Sequence, residues 1–222
     1  MKINEIYNCS GLVEYINEIG FLPLLHMGLD GWSAEEAVDE ECRYVTLPDG
    51  GWEWPLWEWK GDIIRESGCA YGKFFDRKAA FISREWWPDF CNWRRNVYPH
   101  PEESSIEDMI LQTLQENGSM ITRDCAKPAA LRERRCAASS IPTSHVLKWA
   151  VISSRRISSI RKTGTGATTA GGWSLLTMPE VLLGKDSCHP DRTPEESRRR
   201  MEKHFQGLFP DADGRLFDFL LK

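Results

Sequence analysis

No stretch of this sequence approaches the length of a membrane-spanning helix, and its first residues, Met1-Lys2-Ile3-Asn4-Glu5, lack the apolar run of a secretory leader. It has no CxxC pair. The seven cysteines (Cys9, Cys42, Cys69, Cys91, Cys125, Cys136 and Cys188) form an odd set, which argues against a disulfide scaffold and against a Cys-rich zinc site. Signatures of the P-loop, GxGxxG, HExxH and GxSxG types are missing as well. The expectation is a reduced, cytoplasmic protein with no membrane contact, no metal and no cofactor. Basic charge is also short: 28 Lys and Arg against 33 Asp and Glu leave the 222 residues at −5, with no general attraction for nucleic acid. What the chain does have is aromatic surface. Ten Trp and nine Phe, within 41% hydrophobic residues, suffice for one large or two small cores.

Eight of the ten Trp fall in the first hundred residues. Leu12, Val13, Ile16 and Ile19 keep a helical spacing that Gly20 ends, and Phe21 to Leu25 is apolar and extended by its proline. Ser33 and Glu36 read as a capping box, and a helix is predicted from Pro55 to Glu66, closed by Ser67-Gly68. Two β-type runs around Asp76-Arg77-Lys78 predict a hairpin, after which Ser83 is expected to cap a helix through Trp93. Tyr98 to Glu102 reads as a linker. Ile106, Met109, Ile110 and Leu114 then mark a helix stopping at Asn117-Gly118, and Thr122 is placed to cap the next one. A helix, a tight turn and a polar helix start is the pattern of helix-turn-helix and winged-helix units. Near the end, Thr193-Pro194-Glu195-Glu196 is a strong helix start.

Between these halves the composition changes. Arg134 to Thr177 holds no Asp or Glu in 44 residues, yet seven Lys and Arg and fourteen Ser and Thr. Its apolar residues keep neither a helical nor a strand period, so little order is expected. Ala-, Arg-, Ser- and Thr-rich text without acids is also what a GC-rich gene yields when read out of phase. Back-translation read from the third base of each codon allows acids, aromatics and an Asn-Gly turn to reappear, the turn falling near Lys162. The expectation is a frame displaced near Asp124 and restored near Met178.

Trp57-Glu58-Trp59, Tyr71-Gly72-Lys73-Phe74-Phe75, Lys78, Phe81-Ile82-Ser83-Arg84-Glu85-Trp86, Pro88, Phe90 and Arg94-Arg95 resemble a small bacterial family labelled AlkZ-related. Pro194 to Ser197 and Phe209-Pro210 resemble its C-terminal end, so the likeness covers residues 10–123 and 179–210. It implies an α+β protein: a Trp-rich α+β domain over 1–100, then a winged-helix-type domain over 104–222. The recognition helix and wing of the second domain would be disrupted by segment 124–177. The family's helix-to-strand passage and hairpin motifs after the Met120-Ile121-Thr122-Arg123 equivalent are the ones recovered in the shifted phase. AlkZ itself is a DNA glycosylase using a Gln-x-Gln or Gln-x-Asp pair. Here the glutamines are Gln112, Gln115 and Gln206, and no such pair exists, so no catalytic residue is carried over.

Double-stranded DNA is therefore the expected partner. Lys73, Arg77, Lys78, Arg84, Arg94 and Arg95 interleave with aromatics, and Thr122 and Arg123 would start a recognition helix; these are the candidate phosphate contacts. Trp52, Trp54, Trp57 and Trp59 form a second candidate, a pocket for a planar ligand or a partner protein, and the alternative reading is a non-catalytic module built on them. Glu53 and Glu58 beside those rings lack a second catalytic group. Cys188, His189 and His100 stand as isolated candidates for metal or nucleophile chemistry.

Overall fold

The computed structural model describes residues 1–76, 78–121, 146, 148–162, 168–212, 217, 218, 220 and 221. Asn8 opens α1 (Cys9–Ile19), its side chain accepting the Gly11 N–H at 2.9 Å, and Leu12, Tyr15, Ile16 and Ile19 form one buried stripe. Gly20 ends the helix at φ 78°, where a Cβ would collide with the Trp86 indole, so only glycine fits. β1 (Phe21–Pro23) is buried throughout. Ser33 caps the one-turn α2 (Ala34–Ala37), accepting the Glu36 N–H at 3.1 Å. After α3 (Glu40–Arg43), β2 (Val45–Thr46) and β3 (Trp52–Glu53) form a short antiparallel ribbon. α4 (Pro55–Ser67) begins on proline and closes on Gly68 in the left-handed region, as its sequence predicts. β4 (Ala70–Phe75) and β5 (Lys78–Ile82) make the expected hairpin, and β1 joins its far edge to give the order β1-β5-β4.

The next helix starts later than Ser83 predicts. Residues 84–86 form a turn, the Ser83 carbonyl accepts from the N–H groups of Trp86 and Trp87, and the buried Ser83 hydroxyl has no hydrogen-bond partner. α5 (Trp87–Val97) therefore begins without a side-chain cap, with Pro88 in the first turn where its missing N–H is harmless. α6 (Ile106–Asn117) is capped by Ser105 and stops at Gly118, and β6 (Met120–Ile121) follows. Thr122 and Arg123 lie outside the described residues, as does Arg77. β7 (Val151–Lys162) and β8 (Thr168–Thr177) pair antiparallel, and the second sheet has the order β6-β8-β7. This hairpin occupies part of the stretch whose composition predicts little order. Backbone ladder bonds do not require side-chain alternation, so the missing period concealed it. α7 (Pro179–Leu183) and α8 (Pro194–Leu208) complete the order, the latter with a full Thr193–Glu196 capping box.

The fold is thus mixed α and β, with small antiparallel sheets. Its main core gathers α1, β1, the β4–β5 hairpin and α5, and then takes in Met201 and Phe205 of α8 with Phe217, Leu220 and Leu221. Phe21 sits at the centre, its ring 4.8 Å from Phe205 and 5.6 Å from Trp86. The Trp32 indole N–H donates to the Phe21 carbonyl at 2.8 Å, which satisfies the polar atom of a fully buried ring. A smaller cluster joins Ile110, Leu111 and Leu114 of α6 to Val146, Ala150, Leu176 and Met178. Among the described residues no helix is long and apolar enough to cross a membrane.

Candidate functional site

The basic and aromatic block from Tyr71 to Arg95 separates into two sets. β4 and β5 are buried on both faces by Tyr71 against Phe81 and by Phe74 against Trp87 and Phe90, so the few charged positions must lie at the margins. Lys73 stands opposite Ala79, and Lys78 opposite Phe75, which places both exposed cations at the turn end of the hairpin. Asp76 enters that turn at φ 44°. Arg84 is exposed beyond the other end of β5.

Arg94 and Arg95 are instead part of the interior. Arg94 is 4% exposed and donates from Nη1 to the Phe74 carbonyl at 3.0 Å, its guanidinium lying over the Phe74 and Phe90 rings. Burial pulls its pKa down to about 10. Arg95 pairs with Glu180 of α7 at 2.5 Å and stacks over Trp149 at 4.5 Å. Burial works against its charge, but Cys91 and Glu180 outweigh that, and its pKa stands above the ordinary value. Both arginines tie α5 to neighbouring elements. The signal in the sequence was their position in the last turn of an amphipathic helix, where one flank of the apolar stripe reaches the core.

The tryptophans of the second candidate also divide. Trp54, at the start of α4, is half-buried against the main core and stacks on Trp57 at 5.6 Å with 18° between the planes. Tyr44 joins them, stacked on Trp54 at 6.4 Å and edge-on to Trp52 at 5.9 Å. Trp52 is 68% exposed, and Trp57 and Tyr44 are exposed as well. Trp59 is half-buried against the main core. Tyr44 was not foreseen, because it meets the tryptophans only through the β2–β3 ribbon. Glu53 is exposed and Glu58 half-buried.

Further arrangements bring polar and aromatic groups together, several of them across long stretches of sequence. Asp89, in the first turn of α5, accepts two hydrogen bonds from Arg192 at 2.8 and 2.9 Å and another from Arg200. Arg200 lies over the Trp86 ring, and His204 stacks on the same indole at 4.2 Å. The Cys188 thiol is buried, with the Ser187 hydroxyl 3.8 Å away, while His189 beside it in sequence is exposed. Interaction with the Cys91 thiol lowers the Cys188 pKa, burial opposes it and Arg95 adds to it. His100 packs edge-on against Trp149. His26, Asp30 and Glu36 bring one ligand atom each within 4.8 Å of one another. Glu36 already accepts from Ser33, from the Gly31 N–H and from the His26 ring, so helix capping accounts for that cluster.

Two of the three glutamines are engaged structurally: Gln112 donates to Asp108 at 2.9 Å and Gln206 to the Pro210 carbonyl at 2.9 Å. Compared with known families, the chain matches the model described as AlkZ related over residues 6–222. Neither the curated proteins nor the solved structures searched gave a match.

Proposed function

Because the chain belongs to the AlkZ-related family, we propose that it is a winged-helix DNA-binding protein that lacks glycosylase chemistry. The observation that carries this reading is strand order. Setting aside the middle helices, a winged helix runs helix, short strand, then hairpin, with the first strand paired to the last, and α6–β6–β7–β8 follows that order, with residues 122–150 between β6 and β7. Lys73, Lys78 and Arg84 are the exposed cations of the proposed interface, and Arg77, Thr122 and Arg123 extend the same proposal. Arg94 and Arg95 would act by fixing α5 beneath them.

The displaced frame belongs to the same proposal. The restored text regains acids and aromatics, and its Asn-Gly falls beside the 163–167 connection between β7 and β8. The chain as it stands then carries an altered recognition helix and wing, and its affinity for duplex falls below that of the restored sequence.

Fluorescence anisotropy with a labelled duplex tests both parts. The restored-frame protein is expected to bind with an affinity that drops steeply with salt, and Lys73→Ala and Lys78→Ala should each reduce the salt slope by about 1. The present chain should bind more weakly under the same conditions. Absence of salt-dependent binding by both forms would refute the duplex reading.

A further inference from the structure

Tyr44, Trp52 and Trp57 remain exposed although Trp54 between them is anchored on the main core. Exposed, mutually stacked rings held on a fixed base mark a contact surface more than a folding element. The charge around them decides what they can contact. Residues 30–66, which supply all four rings, contain eleven Asp and Glu against three Lys and Arg, a net of −8 in a chain whose total is −5. The Tyr44 hydroxyl donates to Glu35 at 2.9 Å, and exposed Glu53 adjoins Trp52. Aromatic faces carry negative electrostatic potential, so rings and carboxylates here favour the same sign of ligand. The fold already contains one instance: the Lys60 ammonium lies 2.8 Å from the centroid of the Trp57 ring. Phosphate meets repulsion at this face, which sets it apart from the exposed cations at the turn of the β4–β5 hairpin.

We propose that Tyr44, Trp52, Trp54 and Trp57 form a docking surface for a cationic polypeptide segment, whose Arg or Lys side chains lie over the ring faces the stack leaves open, that of Trp52 above all, and pair with the flanking carboxylates. Arginine fits better than lysine, because its guanidinium is planar, stacks on aromatic faces and sheds water more readily. The surface is independent of duplex binding and survives the failure of that reading.

The full-length chain can be titrated into fluorescein-labelled octa-arginine, octa-lysine and octa-glutamate, with cellohexaose and a labelled duplex as rival occupants. Saturable binding of octa-arginine, weaker binding of octa-lysine and none of octa-glutamate are expected. Trp52→Ala, at a site exposed enough to leave the fold intact, should weaken octa-arginine about three- to fivefold, and Trp57→Ala similarly. Both effects should persist in high salt, where charge alone is screened. Far-UV circular dichroism checks the variants, and Glu53→Gln supplies a second, isosteric probe that should also weaken binding. Unchanged affinity in both Trp variants would overturn the proposal, since general acidity would then explain the binding. So would saturation by cellohexaose without octa-arginine, or weakened duplex binding in Trp52→Ala.

Discussion

Replacing Asp89 by alanine tests how the two ends of the chain are held together. The carboxylate is 1% exposed and takes hydrogen bonds from Arg192 and Arg200, more than a hundred residues away. Breaking a fully buried charge pair costs about 3–5 kcal/mol, chiefly because the surviving charge stays buried. Here the arginine side chains are 38% and 35% exposed and can turn toward water, so the loss should lie at or below that floor, about 2–3 kcal/mol. In a chain of this size each kcal/mol moves Tm by about 2–4 °C, so a fall of about 5–10 °C is expected. Urea unfolding followed by Trp fluorescence gives the free energy, and scanning calorimetry gives Tm. A double-mutant cycle with Arg192→Ala should show coupling of about 1–2 kcal/mol. A loss for Asp89→Ala below about 1 kcal/mol, or strict additivity with Arg192→Ala, would refute the view that this network clamps α8 to α5.

Two other expectations concern the Glu36 carboxyl and the β7–β8 hairpin. Burial tends to raise the Glu36 carboxyl, but Ser33, the Gly31 N–H and His26 together hold it below the ordinary 4.5. A carboxyl lowered in the folded state contributes stability above its unfolded pKa and loses it as pH falls through the folded one, so the wild type should weaken below pH 4.5 and Glu36→Gln less steeply. Equal slopes in acid urea titrations would contradict this. Pairing of β7 with β8 predicts that trypsin cuts at Arg155, Arg156, Arg161 and Lys162 only as fast as global unfolding allows. Rapid native cleavage there would refute that pairing, and the coding DNA settles whether the alternative text exists.

Local signals in the sequence located most helix ends and the first hairpin. Gly20, Gly68 and Gly118 stop three helices because a positive φ is cheap only there, and Ser33, Ser105 and Thr193 start others because their oxygens satisfy unpaired N–H groups. The same logic misplaced the start of α5: Ser83 has the right side chain, but its hydroxyl is drawn into the interior and residues 84–86 turn before the helix begins.

Which charges face water was decided by tertiary structure. Lys73, Arg84, Arg94 and Arg95 read alike in the sequence, yet two are exposed and two are enclosed, by Phe90 of the same helix and by Phe74, Trp149 and Glu180, which arrive from elsewhere in the chain. Tyr44 enters the aromatic surface, and Arg192 and Arg200 reach Asp89, for the same reason. Caps and turns depend on atoms within a few residues of one another, so the chain writes them locally. Burial, ion pairing and ring stacking depend on distances closed only when the core forms.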